Sequence, residues 1–384
     1  MAGDSNKVGF DCNLAVVIGI DNYGNGVPSL STPANDAREL ARVLRDEHGY
    51  EQVWEFIDPI CTDENCQPTA TREKLEEFLE KTLPKEVEKN HRLLFYFAGH
   101  GIALNGDDGP QGYLIPQDAK LGDATTYLPM PKIERALTEL SCRHCLIILD
   151  CCFAGAFRWS STRKLVPIPE VIHKERFERF IHDPAWQVIT SASYDQFAWD
   201  TLELKDDRGT DPNRKQHSPF AAALIEALSG SADGYPPAKN NKPAGDGVIT
   251  ATELYLYLRG YVEDVTENSI RQTPALWSLK KHDKGEYIFL APGHELNLPD
   301  APSLDEVLKD ETKNPYRGLQ SYEKEHSQLF FGRTKLIEKL CDAVCDLPLT
   351  VVLGASGSGK SSLVKAGLVP HLEQPKQPLQ RVWL

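Results

Sequence analysis

Three short stretches of unbroken apolar residues constrain this chain more than any other feature. They are Leu14-Ala15-Val16-Val17-Ile18-Gly19-Ile20, Leu93-Leu94-Phe95-Tyr96-Phe97 and Ile147-Ile148-Leu149. A strand with one wet face alternates apolar with polar residues. A continuous run is instead buried on both faces, as inside a parallel sheet. The intervening segments read as the crossovers. Residues 33–48 place Ala37, Leu40, Ala41 and Leu44 on one helical stripe, with Thr32 as N-cap and Gly49 as stop. Residues 52–57 make a second strand, 71–79 and 131–140 further helices, and 112–116 a short edge strand limited by Pro116. Residues 188–191 resume a strand, Ser218 opens a helix over 219–228, and 287–290 form a last strand. Thr250-Ala251-Thr252-Glu253 is a capping box for a helix through Leu258. This alternation predicts an α/β fold, a mainly parallel sheet flanked by helices on both faces.

Two of the runs end in reactive residues. The second stops at Gly99-His100-Gly101 and the third at Asp150-Cys151-Cys152. Parallel strands bring their carboxyl ends to one edge, where α/β folds place their sites, so the sheet predicts that His100 and Cys152 meet there. An imidazole beside a thiol lowers the thiol pKa and can protonate a leaving amine. Gly101 removes a side chain next to the histidine, and its backbone N–H with that of Cys152 would face a developing oxyanion. From these residues alone, a buried small thiol and a loop histidine stand as the alternative.

At 384 residues the chain has room for two domains, and 41% apolar with 26% charged residues is a globular composition. Its net charge of −14 gives no overall basic footprint for nucleic acid or an anionic membrane and suits a cationic substrate. Nine cysteines without the paired spacings of a disulfide framework point to a reducing, cytoplasmic setting. The first apolar run is too short for a signal peptide, and no stretch approaches the ~18 apolar residues of a membrane span.

Residues 1–290 read as one domain, 291–312 as a Pro- and acid-rich linker, and 313–384 as a second domain. In the last, an apolar strand over 349–353 leads into Gly354-Ala355-Ser356-Gly357-Ser358-Gly359-Lys360-Ser361. This is the P-loop pattern: backbone N–H groups including those around Gly354 and Gly359 wrap a phosphate, Lys360 reaches the β/γ-phosphates and Ser361 ligates Mg²⁺, so ATP and Mg²⁺ are the expected cofactors. No metal site is expected elsewhere. Residues 242–253 mimic the end of an EF-hand, but Lys242 and Ala244 stand where ligands are needed. Cys142, His144 and Cys145 are too closely spaced for a tetrahedral site, and the two carboxylates at 105–109 show no coordination pattern, so calcium is neither supported nor excluded.

Phe97-Ala98-Gly99-His100-Gly101 and Asp150-Cys151-Cys152-Phe153-Ala154-Gly155 resemble the two catalytic motifs of the caspase-like cysteine peptidases, in the metacaspase-like branch found in bacteria. The resemblance covers roughly residues 10 to 290 and implies that Cys152 is the nucleophile, His100 its base and Cys151 a packing residue. It also implies cleavage after Arg or Lys, with Asp36 and Asp195 as the acidic pocket residues. Ala98 stands where eukaryotic relatives have a pocket serine, which leaves the preference between Arg and Lys open. Asn314-Pro315-Tyr316-Arg317-Gly318-Leu319 and Phe330-Phe331-Gly332-Arg333, with the P-loop, resemble the start of STAND-type NTPases, regulators of signalling and bacterial immunity. The expectation is a truncated P-loop NTPase segment of a longer, self-associating protein whose nucleotide module gates the peptidase. An inactive caspase-fold adaptor is the alternative. Arg158, Arg163 and Lys164 in the irregular stretch 158–179 are candidate self-processing sites, with cleavage expected within 158–176 and a solvated basic loop as the alternative.

Overall fold

The computed structural model describes residues 9–59, 67–106, 109–152, 172–192, 217–238, 244–266, 272–293, 296, 298, 321–330, 332–354 and 359–373. The chain divides into two compact units, Met1–Asp300 and Ala301–Leu384. In chain order the first unit contains β1 (Cys12–Gly19), α1 (Pro33–Asp46), β2 (Gln52–Ile57), α2 (Arg72–Glu77), α3 (Leu83–Glu86), β3 (His91–Ala98), β4 (Gly101–Gly106), β5 (Gly109–Leu114), β6 (Leu128–Pro129) and α4 (Met130–Glu139). It continues with β7 (His144–Asp150), α5 (Lys174–His182), β8 (Ala185–Thr190), α6 (Pro219–Glu226), β9 (Val248–Thr250), α7 (Ala251–Thr266), β10 (Ala275–Ser278) and β11 (Ile288–Leu290).

The central sheet runs β10-β8-β7-β3-β1-β2, parallel throughout except for β10. Why the strand runs are continuously apolar is visible in where successive residues go. Ala15, Val17, Leu94, Tyr96 and Ile148 enter one core with Leu40 and Leu44 of α1, Phe220 and Leu224 of α6, and Leu254 and Leu258 of α7. Val16, Ile18, Phe95, Phe97, Ile147 and Leu149 enter the other core with Leu75, Leu79, Ile133 and Leu137. Both faces are covered, so the polar residues on these strands, such as Asn13, Arg92 and Gln187, are hydrogen-bonded, and truncating one of these leucines to alanine costs about 2–5 kcal/mol.

Several local expectations are corrected. Residues 112–116 are not an edge strand: β5 is the middle of a separate antiparallel sheet, β4-β5-β6, and ends before Pro116, which therefore limits nothing within the ladder. The last strand pairs with β9 in a two-stranded sheet outside the central one. Helix α2 does not stop at 79 but runs on through a π-helical turn (Phe78–Thr82) into α3. Short β10 escaped the sequence reading because an edge strand needs no continuous apolar run. Thr32 occupies the N-cap of α1 without capping it; Asp21 Oδ1 accepts the Ala34 N–H instead, at 2.8 Å. Ser218 does cap α6, and Thr250 with Glu253 forms the reciprocal capping box.

The second unit has a helix at Thr334–Asp346 and a helical stretch over 360–373. Residues 349–353 form no strand there, and Leu349, Val351 and Leu353 are exposed. A strand requires a ladder partner, and none exists among the described residues of this unit.

Candidate active site

Parallel pairing of β3 with β7 puts Ala98 opposite Asp150. His100 and Cys152 thus each lie two residues beyond a paired position, on adjacent strands at the same sheet edge. Both line a cleft of about 180 Å³ with Leu30, Thr32, Asp36, Asp150 and Ser218. Of the residues expected at this site, the structure brings together His100, Cys152, Asp36 and the neighbouring Gly101. Asp195 lies outside the described residues, as do 158–171 of the stretch read for self-processing, whose residues from 174 on form α5 and are not irregular.

The histidine is held from three sides. Its Nε2 lies 2.9 Å from the Pro28 carbonyl oxygen. A carbonyl only accepts, so Nε2 carries the hydrogen and the neutral ring keeps its lone pair on Nδ1. The His100 backbone N–H donates to Tyr23 Oη at 2.8 Å, and the two rings lie 4.9 Å apart. Tyr23 and Pro28 belong to the loop after β1, which is anchored by Asp58 Oδ2 accepting the N–H groups of Asp21 and Asn22. Burial pushes the Tyr23 hydroxyl well above its usual range, so it stays a neutral partner.

The two thiols differ sharply. Cys151 is 1% exposed within the core, and burial, with the neighbouring Cys152 and Asp150 charges, pushes its thiol well above the ordinary cysteine range. Cys152 is partly exposed in the cleft. Gly101 packs against the two residues that follow β7: a Cβ there would stand 2.9 Å from Cys151 Sγ and run into the Cys152 carbonyl oxygen.

Two carboxylates face the cleft. Asp36, in the first turn of α1, is 1% exposed; its Oδ1 lies 2.6 Å from His217 Nδ1 and its Oδ2 accepts the Ser218 N–H at 3.3 Å. Burial raises its pKa to about 6, against the opposing pull of His217, Ser218 and Thr32. Asp150, closing β7, accepts the Ser218 hydroxyl at 2.8 Å, while Ser218 Oγ in turn accepts the Ala221 N–H at the start of α6. One N-cap residue thus joins both acids. Sequence reasoning missed Asp150, His217, Ser218, Tyr23 and Pro28 as site residues. For Asp150 there was a signal: an acid ending a doubly buried strand must face a cleft or a partner.

Cys142, His144 and Cys145 pack in the core; burial lowers the His144 pKa to about 3. No group of three or more His, Cys, Asp or Glu arranged for a metal occurs among the described residues. No helix among them is long and apolar enough to cross a membrane.

In the second unit, Lys360 Nζ donates to the Gly354 carbonyl at 2.8 Å, and Gly359 has a left-handed φ of 83°, which favours glycine. Lys360 begins the following helix with Ser361 exposed in its first turn, while Ser362 Oγ accepts the Tyr322 N–H at 3.0 Å. These residues fit a phosphate and its magnesium ion; residues 355–358 of the loop lie outside the described set.

A doubly covered parallel sheet with histidine and cysteine at the ends of adjacent strands defines a caspase-type α/β domain. The caspase domain model matches residues 12–283, and the chain belongs to that family. Residues 315–384 match the novel STAND NTPase 1 model, so a STAND NTPase segment follows the caspase domain. No curated protein matches. Among solved structures, the protein GSU0716 from Geobacter sulfurreducens is 14% identical with a TM-score of 0.43, covering 75% of this chain and 100% of that one.

Proposed function

We propose that this chain is a cysteine endopeptidase that cleaves after arginine or lysine, gated in the full-length protein by its STAND NTPase module. The observation carrying this reading is that His100, Cys152, Asp36 and Asp150 line one cleft. With Nε2–H bound to Pro28, His100 Nδ1 takes the Cys152 thiol proton, and the sulfur attacks the scissile carbonyl. The backbone N–H groups of Gly101 and Cys152 stabilise the oxyanion. The C–N bond then breaks as the imidazolium protonates the leaving amine, giving a thioester. Water, deprotonated by His100, attacks the thioester, and the C–S bond breaks to return the thiol. Asp36 and Asp150 supply the charge-assisted bonds that a guanidinium or ammonium needs on leaving water. A neutral or acidic side chain would bring these two acids no opposite charge.

The STAND segment carries the regulatory half of the proposal. When bound, ATP with Mg²⁺ supplies phosphate charge for Lys360 and a metal for Ser361, and self-association driven by it would switch the peptidase on. An inactive adaptor on the same fold would need neither the thiol nor the acids. Fluorogenic peptides ending in Arg, Lys and Asp, offered to the activated full-length protein with Cys152→Ala as control, test the reading. Cleavage after Arg or Lys that is lost in the variant is expected. Selective cleavage after Asp would refute the pocket assignment, and no cleavage by folded, activated protein would favour the adaptor.

A further inference from the structure

We propose that His217 is a positioning residue of the specificity pocket, holding Asp36 ionised and aimed so that the pocket receives a cationic side chain. This rests on the reading of the cleft as an Arg/Lys pocket. Asp36 lies on the buried face of α1, where an isolated carboxylate would take up a proton rather than remain charged. A neutral carboxyl offers a guanidinium no charge and a poorer pair of acceptors.

His217 enters from the segment preceding α6, 181 positions away in sequence, with its side chain 15% exposed, and sets Nδ1 at 2.6 Å from Asp36 Oδ1. Ser218 binds the other oxygen through its N–H. Asp36 still lines the cleft with this contact made, so His217 supports the acid rather than replacing the substrate. The other groups around Asp36 do not substitute for it. Thr32 supplies a neutral hydrogen bond, while Asn35 reaches His217 Nδ1 at 3.4 Å. Asp150 from β7 is a like charge, linked through Ser218. Tyr96 from β3 lies near both acids, and their charges add to the burial that holds its hydroxyl protonated. His100 and Cys152 line the same cleft.

The test uses the full chain carrying Cys152→Ala, with benzamidine as the cationic probe and binding followed by calorimetry from pH 5 to 9. In this parent, affinity should rise as Asp36 ionises, around pH 6. His217→Leu should move that rise upward by about two pH units, giving roughly tenfold weaker binding at pH 7 with a similar plateau at pH 9. His217→Asn, which keeps a donor, should restore part of the shift. Carbon-13 labelling of the aspartate carboxyls reports the Asp36 titration directly, and thermal unfolding confirms that each variant is folded. If His217→Leu fails to fold, the His217→Asn shift and the parent's carboxyl titration decide the question. Unchanged or tighter binding at pH 7 in the Leu variant overturns the positioning role while leaving the basic pocket standing. Absence of benzamidine binding to the parent at every pH overturns the pocket reading and this inference with it.

Discussion

Gly101→Ala is the sharpest perturbation of the proposed machinery because it introduces no charge and removes no reactive group. The added methyl would stand 2.9 Å from Cys151 Sγ and nearer still to the Cys152 carbonyl oxygen. A carbon and a carbonyl oxygen rest roughly 3.3 Å apart. The oxygen is backbone, two residues past the fully buried β7, and cannot swing away as a side-chain tip would, so the Cys152 main chain has to retreat by on the order of 1 Å. Misplacement of that size costs about 100-fold in rate, or about 2.7 kcal/mol of transition-state stabilisation. Overpacking should cost about 1–3 kcal/mol of stability, which leaves a folded domain. The assay is kcat/KM on an Arg peptide, with thermal unfolding and alkylation of Cys152 measured alongside. A folded variant whose thiol still reacts but whose kcat/KM falls about 100-fold is expected. A value within threefold of wild type would refute the claim that the close approach of 101 and 152 fixes the reacting geometry.

Iodoacetamide followed by peptide mapping should find Cys152 modified and Cys151 protected in the native chain, since burial holds the Cys151 thiol neutral; labelling of Cys151 would contradict that. Tyr23→Phe removes the acceptor of the His100 N–H, and should cost about 1–2 kcal/mol of stability and lower kcat more than it raises KM; an unaltered kcat would show that the imidazole is placed without it. Burial lifts the Glu253 pKa to about 7 from an ordinary 4.5, so the folded state holds a proton that the unfolded chain has released, and this stability is present below about 4.5 and lost as pH rises through about 7. Glu253→Gln keeps an acceptor for Thr250 and should raise Tm at pH 8 but not at pH 4; equal effects at both would sink the assignment. Active chain on incubation should be nicked within 158–176 while Cys152→Ala stays whole, and an intact wild type that cleaves added peptide would exclude self-processing.

The sequence was informative about the site wherever a residue's role follows from its own strand. His100 and Cys152 stand at the ends of runs whose unbroken apolar character can arise only between two covered faces, and that burial forces parallel neighbours and a shared edge. Asp36 was legible only through the resemblance to the caspase-like peptidases, because an acid in the first turn of a helix is equally well explained by the helix dipole. What escaped depends on chain closure over long separations. Pro28 and Tyr23 reach His100 from 72 and 77 residues away, Ser218 reaches Asp150 across 68 and His217 reaches Asp36 across 181. Nothing in the local pattern at 217–218 distinguishes a helix cap from a residue that also bridges two acids. Ser218 shows why the two roles coincide: its hydroxyl oxygen accepts from Ala221, and its remaining hydrogen must find an acceptor in a buried place, which Asp150 supplies. Capping chemistry and pocket chemistry are therefore one requirement at this position. Ser218→Ala should weaken both together, whereas Ser218→Asp, itself a good cap, would restore the helix while setting a third negative charge against Asp36 and Asp150.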